Sequence, residues 1–333
     1  MRKSRAVTVA DVAREAGVSP ATVSRTINGI RDVDPQLQER VLAAAEVLGY
    51  RVNLVGRALR QQRTATVGLI VPDLDNPFFS SLGQHLARAF LESGTDLLVF
   101  STDRSLDTER RGVQSFLGRQ VDALVIIPCD ETRSSPSVQL AASAVRTIQL
   151  DRRVPGTDAH FVGVNNQTGM TLIHDHVTSV VTRQDQPVMF VGGETSSSSG
   201  HERLDGFRRR FGSDALALVG SFDYSWGIAA AEQVIESGWK RGTIIAGADV
   251  IAVGLLGRLQ AGGFSVPGDF RIIGFDGIGV ARLAHPTLTT VRQPVEAMSR
   301  SIRELVEQPD PGPDAPVVRR HRPRLVLGES SPA

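Results

Sequence analysis

The chain has almost nothing with which to staple itself or to cross a membrane. One cysteine, Cys129, in 333 residues excludes an intramolecular disulfide and fits a reducing compartment. It sits beside the apolar run 123–127, where a small buried side chain is the plainer role. No apolar run approaches the roughly 20 residues that a bilayer demands. The basic N-terminus has no apolar signal core behind it, so a cytoplasmic protein without a membrane partner is expected. Catalytic spacings are missing too. There is no Gly-x-x-x-x-Gly-Lys phosphate loop, and the stretch 277–282 lacks the third glycine of a dinucleotide fingerprint. His174 and His176 lie two apart, so on a helix they face different ways and read as two surface histidines rather than a metal pair. No enzyme, cofactor or metal is therefore expected.

An excess of one charge is also lacking, at a formal net +1, until the chain is divided. Up to Arg63 there are 11 basic residues against 6 acidic, a formal +5, whereas the remainder holds 26 against 30, a formal −4. A compact basic head on a mildly acidic body points to a polyanion as the partner of the head. The length suits about two or three domains. An apolar content of 41% with 22% charged residues allows sizeable cores.

The head punctuates itself into three short helices. Thr8 is an N-cap with Asp11 three residues on, a capping-box pattern, and Gly17 permits a sharp turn after Ala16. Ser19-Pro20 opens a second helix that stops at Asn28-Gly29. Asp34-Pro35 opens a third, with Leu37, Val41, Leu42, Ala45 and Leu48 as its apolar stripe. Two helices across a glycine turn with a third packed on them is the helix-turn-helix plan, whose second helix enters the major groove. A generic three-helix bundle with a polar face has the same spacing.

The words at 9–28, VADVAREAGVSPATVSRTIN, resemble the head of the LacI/GalR family of bacterial repressors. That resemblance implies base-reading roles for Pro20, Ala21 and Arg25, and phosphate contacts from Thr8, Ser19, Thr22, Ser24 and Asn28. Pro20 and Ala21 have little hydrogen-bonding capacity, which leaves Arg25 with most of the direct readout. The third helix departs from the pattern, with Leu37-Gln38 where the family often has Thr-Arg. NLVGRALR at 53–60 resembles the family's hinge helix, implying minor-groove roles for Asn53 and for Leu59 as a wedge. A helix of about seven residues is too short to persist alone in water. Gly56 in place of the usual Ala weakens it by roughly 1 kcal/mol.

Beyond Thr66 short β-branched runs alternate with helical stretches. The strand-like runs lie at 67–71, 97–100, 123–127, 188–191, 243–246, 271–274 and 289–291, with a last strand in 324–330. Helical pieces include 81–93, 108–120, 167–182 and 248–261. This alternation predicts an α/β body of two doubly wound, parallel-sheet lobes with ligands at the strand carboxyl ends. The domains expected are a helical DNA-binding head at 1–52, a hinge at 53–63, and an effector-binding and dimerisation body at 64–333 crossed near 165 and 293. The body resembles periplasmic sugar-binding proteins, as effector domains of the family do. On that resemblance VPDLDNPFF at 71–79 brings Asp73, Phe78 and Phe79 to the cleft, and HERLDGF at 201–207 brings Arg203. GFD at 274–276 brings Asp276, and HPTLTTVRQ at 285–293 ends in a cleft Gln293. Asp103 and Asp151 stand at two further strand ends, and Phe222 fits an aromatic platform. Carboxylates accept from polyol hydroxyls, arginine donates in a fixed fork, and aromatic faces stack on a sugar. The run 196–199 either lines the cleft or, the plainer reading, forms a mobile loop, and the basic cluster at 319–322 is either a second basic patch or, again more plainly, a solvated strand or loop.

The resulting expectation is a homodimeric repressor of pseudo-palindromic operator DNA, controlled by a small molecule, a sugar or sugar derivative. A stand-alone cytoplasmic sugar-binding protein is the alternative, and the intact head argues against it.

Overall fold

The computed structural model describes residues 7–27, 33–51, 56, 63–181, 187–308 and 316–333. The chain divides into two compact units, Met1–Thr64 and Ala65–Ala333. Elements are numbered in chain order.

The first unit holds α1 (Val9–Ala16), α2 (Pro20–Ile27) and α3 (Pro35–Val47). Each starts on a side-chain cap. The Thr8 hydroxyl accepts from the Asp11 amide while the Asp11 carboxylate accepts from the Thr8 amide, closing the box. Ser19 Oγ accepts from the Thr22 amide at 3.1 Å, and Asp34 Oδ1 from the Gln36 amide at 2.8 Å. Gly17 ends α1 in the left-handed region at φ 63°, which a Cβ would resist. Val12, Ala13, Ala16, Val23, Val41 and Ala44 form the small core. Leu42, expected on the apolar stripe, is 52% exposed, because Val41 and Ala44 set the buried face of α3 and Leu42 lies beside it. Asn28, Asn53 and Leu59 lie outside the described residues.

The second unit has two lobes, each a six-stranded sheet flanked by helices. Lobe one orders its strands β11 (Val318–His321), β5 (His160–Val164), β4 (Arg146–Leu150), β3 (Ala123–Ile126), β1 (Thr66–Val71) and β2 (Asp96–Ser101), all parallel. Its helices are α4 (Pro77–Leu91), α5 (Leu106–Gly118), α6 (Ser135–Ala144) and α12 (Val295–Glu307). Lobe two orders β12 (Arg324–Val326), β10 (Thr289–Arg292), β9 (Phe270–Asp276), β8 (Gly242–Ala246), β6 (Val188–Gly192) and β7 (Ala217–Val219). Only β12 runs antiparallel there. Its helices are α7 (Asn166–Val180), α8 (Ser198–Phe211), α9 (Tyr224–Glu236), α10 (Asp249–Ala261) and the short α11 (Gly279–Leu283).

The central strands β1, β3 and β8 are apolar runs buried along almost their whole length, as parallel strands covered on both faces must be. α4 starts four residues earlier than the periodicity suggested, since Asn76 Oδ1 caps the Phe78 amide and Pro77 takes the first turn. His176 is not a surface histidine: it is 7% exposed, with Nε2 2.9 Å from Ser331 Oγ, because α7 packs against the C-terminal segment. The chain passes between the lobes after β5, after β10 at 293–294, and again after β11 at 322–323. That last passage was not anticipated.

Candidate functional site

Parallel sheets present the carboxyl ends of their strands to one side, and the body gathers its polar side chains there. Asp151 follows β4, Asp276 ends β9, Gln293 follows β10, Asn166 begins α7, and Arg203 lies on α8. All five are almost fully buried. Arg203 holds the group together. Its Nε donates to Asn166 Oδ1 at 3.0 Å and its Nη1 to the Gly247 carbonyl at 2.7 Å. Nη1 also lies 3.4 Å from Asp276 Oδ1, and the guanidinium carbon lies 3.9 Å from the Phe275 ring centroid. Gln293 Nε2 donates to the same Asp276 oxygen at 2.9 Å. Asp151 and Asp276 hold positive φ values of 62° and 113°, a backbone cost that the surrounding structure must sustain.

Burial decides the charge states. It pushes the Asp276 carboxyl up to about 7, against the pull of Arg203 and Gln293, with Asp151 adding to the rise. Burial also raises Asp151, opposed by Arg203 and Arg152. Asp249, at the start of α10, is raised by burial and by the neighbouring Asp276, although Thr290 Oγ1 donates to it at 2.6 Å and the Ile278 amide at 2.9 Å.

Aromatic faces come from both lobes. Phe79 on α4 and Phe222 before α9 each lie under the Arg152 guanidinium, at 5.5 and 5.4 Å from centroid to carbon. Phe78 packs on Phe79 with ring centroids 5.6 Å apart. A Cβ on Gly193 would come within 2.2 Å of the Phe222 ring, so a bare glycine is what lets that ring lie flat. Three polar atoms in this neighbourhood are buried with no hydrogen-bond partner: Asp151 Oδ1, Gln293 Oε1 and Arg152 Nε. Such atoms are rare in folded proteins, and a polar occupant of the cleft would satisfy them.

At the front of the cleft Asp73 accepts from the Asn76 amide at 2.8 Å and from Arg104 Nε at 3.0 Å. Arg104 continues to Asp223 at 3.3 Å, so it ties lobe one to lobe two. A cavity of about 390 Å³ opens beside it, lined by Asn76, Phe222, Tyr224 and Val250 among others. Asp103, expected in the cleft, is exposed at φ 51° with no polar contact among the described residues, whereas Arg104 beside it, at φ 56°, reaches Asp73 and Asp223. The run 196–199 is a junction and not a mobile loop. Ser197 caps α8, Ser198 Oγ accepts from the Arg153 amide at 2.7 Å, and the Ser196 carbonyl accepts from the Glu131 amide at 2.7 Å. Cys129 is half-buried, its thiol pushed up to about 12 by burial and by Glu109, which keeps it protonated.

In the head, Ala21, Ser24 and Arg25 fall at spacings of three and four on α2 and so share a face. Ser19, Pro20, Ala21 and Arg25 are exposed, and Thr22 and Ser24 half-buried. Thr8 and Ser19 cap their helices, and Thr22 Oγ1 lies 2.9 Å from Ser19 Oγ, so all three carry a structural duty beside any contact with DNA.

Sequence reasoning missed Arg152, Arg104 and Asp249 as members of the site.

Residues 8–53 match the model described as bacterial regulatory proteins, lacI family, and residues 186–331 match a periplasmic binding protein-like domain. The chain is 32% identical to catabolite control protein A of Priestia megaterium over 304 residues, 87% of this chain and 88% of that protein. It is 30% identical to the transcriptional regulator GalR of Escherichia coli K12, covering 90% and 88%. The Lac repressor dimer bound to operator and an anti-inducer superposes with a TM-score of 0.86 at 22% identity, over 99% of this chain and all of that one. The CelR–cellobiose complex gives 0.69 at 26% identity, over 97% and 99%. With a helix-turn-helix head, a two-lobed binding body and regulators rather than enzymes as its relatives, this chain belongs to the LacI family of DNA-binding transcriptional regulators.

Proposed function

We propose that the chain is a repressor whose affinity for a pseudo-palindromic operator is set by a sugar or sugar derivative bound between the lobes. The observation that carries this reading is the trio of unpartnered buried atoms, Asp151 Oδ1, Gln293 Oε1 and Arg152 Nε, beside two aromatic faces from opposite lobes. A polyol would donate to the two acceptors, and Arg152, in leaving Phe79 or Phe222 to a sugar face, would turn its donors to the sugar hydroxyls. Asp73, Phe78, Arg203 and Asp276 would shape and orient that pocket. Relatives include the ribose operon repressor and GalR of Escherichia coli, and the CelR structure holds cellobiose. Residues 1–52 would read DNA, with Arg25 on bases and Thr8, Ser19, Thr22 and Ser24 on phosphates. Residues 53–63 would act as hinge.

Two heads reading one palindrome need a twofold pair of chains. The edge strand β2 leaves Leu98 and Val99 exposed, and Leu91 at the end of α4 is 74% exposed. An uncovered apolar edge invites a second copy, which supports the homodimer. No helix among the described residues is long and apolar enough to cross a membrane, in keeping with the proposed cytoplasmic location.

Operator binding by fluorescence anisotropy, on a palindrome selected from random duplexes and repeated with sugars, sugar phosphates and purines, tests the reading. Tight, salt-dependent binding changed at least about tenfold by a sugar is the expected result. Sugar binding without any selected duplex would return the stand-alone binding protein. Arg25→Ala should relax base selectivity and cost about 1–3 kcal/mol of operator affinity; unaltered selectivity would remove Arg25 from the readout.

A further inference from the structure

A second polar cavity lies away from the cleft mouth, on the side where the chain passes between the lobes. It has a volume of about 400 Å³, and Arg292, Arg300, Arg322 and Arg324 converge on it. Arg292 and Arg324 are direct partners across the antiparallel β10–β12 pair. Like charges so placed repel each other unless something between them compensates. Glu296 is the one acidic residue of the lining, 3.8 Å from Arg292. Its carboxylate is already shared with its own backbone amide and with His85 at 3.4 Å.

The neighbouring arginines are matched. Arg319 meets Glu304 at 2.6 Å, Arg320 meets Glu202 at 2.7 Å, and Arg303 pairs with Glu92. Among the described residues Arg300, Arg322 and Arg324 have no carboxylate within ion-pair distance. Part of the basic cluster at 319–322, which reads from sequence as solvated strand, thus delivers Arg322 to a concave basic surface. His321 next to it is held below the ordinary histidine range by burial and by the charges of Arg319 and Arg300.

We propose that this cavity is a second ligand site, for a small polyanion of the phosphorylated-metabolite class, distinct from the cleft. Guanidinium groups form paired, charge-assisted hydrogen bonds with phosphate oxygens, and four around one cavity can satisfy a doubly phosphorylated group. The site also has a mechanical consequence. Arg292 and Arg324 belong to lobe two, Arg300 to α12 of lobe one, and Arg322 to a passage between them. An anion held by all four fastens two of the three passages at once. Gln293 lines the same cavity while donating to Asp276 on the cleft floor, which joins the two sites through one side chain.

The test uses the full-length chain and inorganic pyrophosphate as probe, by titration calorimetry at about 0.15 M ionic strength held with chloride. Saturable binding of one pyrophosphate per chain is expected, weakened at least about tenfold in the Arg300→Gln/Arg322→Gln double variant. It should persist in Asp276→Asn, which keeps a side-chain oxygen able to accept from Gln293 and changes only the charge on the cleft floor. Unchanged melting of the double variant checks that both exposed substitutions leave the fold alone. Absent or unsaturable heats would overturn the proposal, as would binding lost in Asp276→Asn but kept in the double variant, which places the anion in the cleft. A double variant that loses affinity for the selected duplex, in a protein that gives no pyrophosphate heat, would assign the surface to nucleic acid instead.

Discussion

The head and the body put their polar side chains to opposite uses. In the head, Thr26 apart, they stand outside a core of six small apolar residues, and their first task is to cap three helices. The surface left over on α2 is free to meet a partner. In the body the decisive polar groups are inside. Arg203, Asp276, Asn166 and Gln293 are each at most 3% exposed and bonded to one another before any ligand arrives. A head built this way is sensitive to loss of local order. The body is sensitive to loss of any one member of a buried network, since the members left behind cannot turn to water.

The largest effect should come from cutting that network at its centre. Arg203→Ala leaves the Asn166 carbonyl oxygen and the Gly247 carbonyl without this donor, and Asp276 with Gln293 alone, among almost fully buried residues. Removing one partner of a buried ion pair typically costs about 3–5 kcal/mol. The body's transition in thermal or urea unfolding should fall accordingly, with the head's own transition unmoved. Operator binding should survive while the effector response disappears. A body transition that stays where it was would mean that the guanidinium is solvated and that the contrast with the head has been overstated.

A subtler cut asks about charge rather than contact. A carboxyl raised by burial binds its proton more tightly folded than unfolded. The stability of Asp276 is therefore fully present below about pH 4, where both states are protonated, and is lost as the pH climbs to about 7. Asp249 shifts in the same direction, so it adds to the trend. Asp276→Asn removes the proton. Relative to the wild type, the variant should gain on the order of 2 kcal/mol between pH 5 and pH 7.5, read from urea unfolding at each pH. A difference that stays flat across that window would mean that Asp276 is ionised throughout and balanced by Arg203 alone.

The same contrast explains what could be read from sequence. The head is written in local grammar: cap, apolar triplet, glycine turn, proline start. Each of those words acts within four residues, so α1, α2 and α3 begin where the sequence suggests. In the body the alternation of strand and helix exposed the two-lobed architecture, but β4 and β5 did not stand out. Thr147 and Gln149 interrupt the apolar run of β4, and their polarity is absorbed out of sight: Gln149 Oε1 accepts from the Val154 amide at 2.6 Å. Arg203, Asp276 and Gln293 were reached through the resemblance of their segments to family motifs. Arg152 was not, because only the fold brings Phe79 and Phe222 to either side of it from positions far apart in the chain. Asp103 and Arg104 are neighbours with the same turn geometry, and nothing local says which of them faces the cleft.

The smallest expected effect sharpens the head's side of the comparison. Thr8 is the cap of α1 and, in the proposed function, a phosphate contact, and the two duties separate by substitution. Thr8→Ser keeps an oxygen that can accept from the Asp11 amide, whereas Thr8→Val keeps the shape and removes the acceptor. Thr8→Val should lower the head's stability by about 1 kcal/mol, visible as earlier melting of the head and not of the body. Asp11 then loses one side of its box, although its carboxylate still accepts from the backbone amide of residue 8 at 3.0 Å. Operator affinity at a temperature where both heads are folded isolates the second duty. If Thr8→Val binds the selected duplex as tightly as Thr8→Ser under those conditions, the hydroxyl serves the helix alone, and the phosphate contact passes to Ser19 and Thr22 at the start of α2.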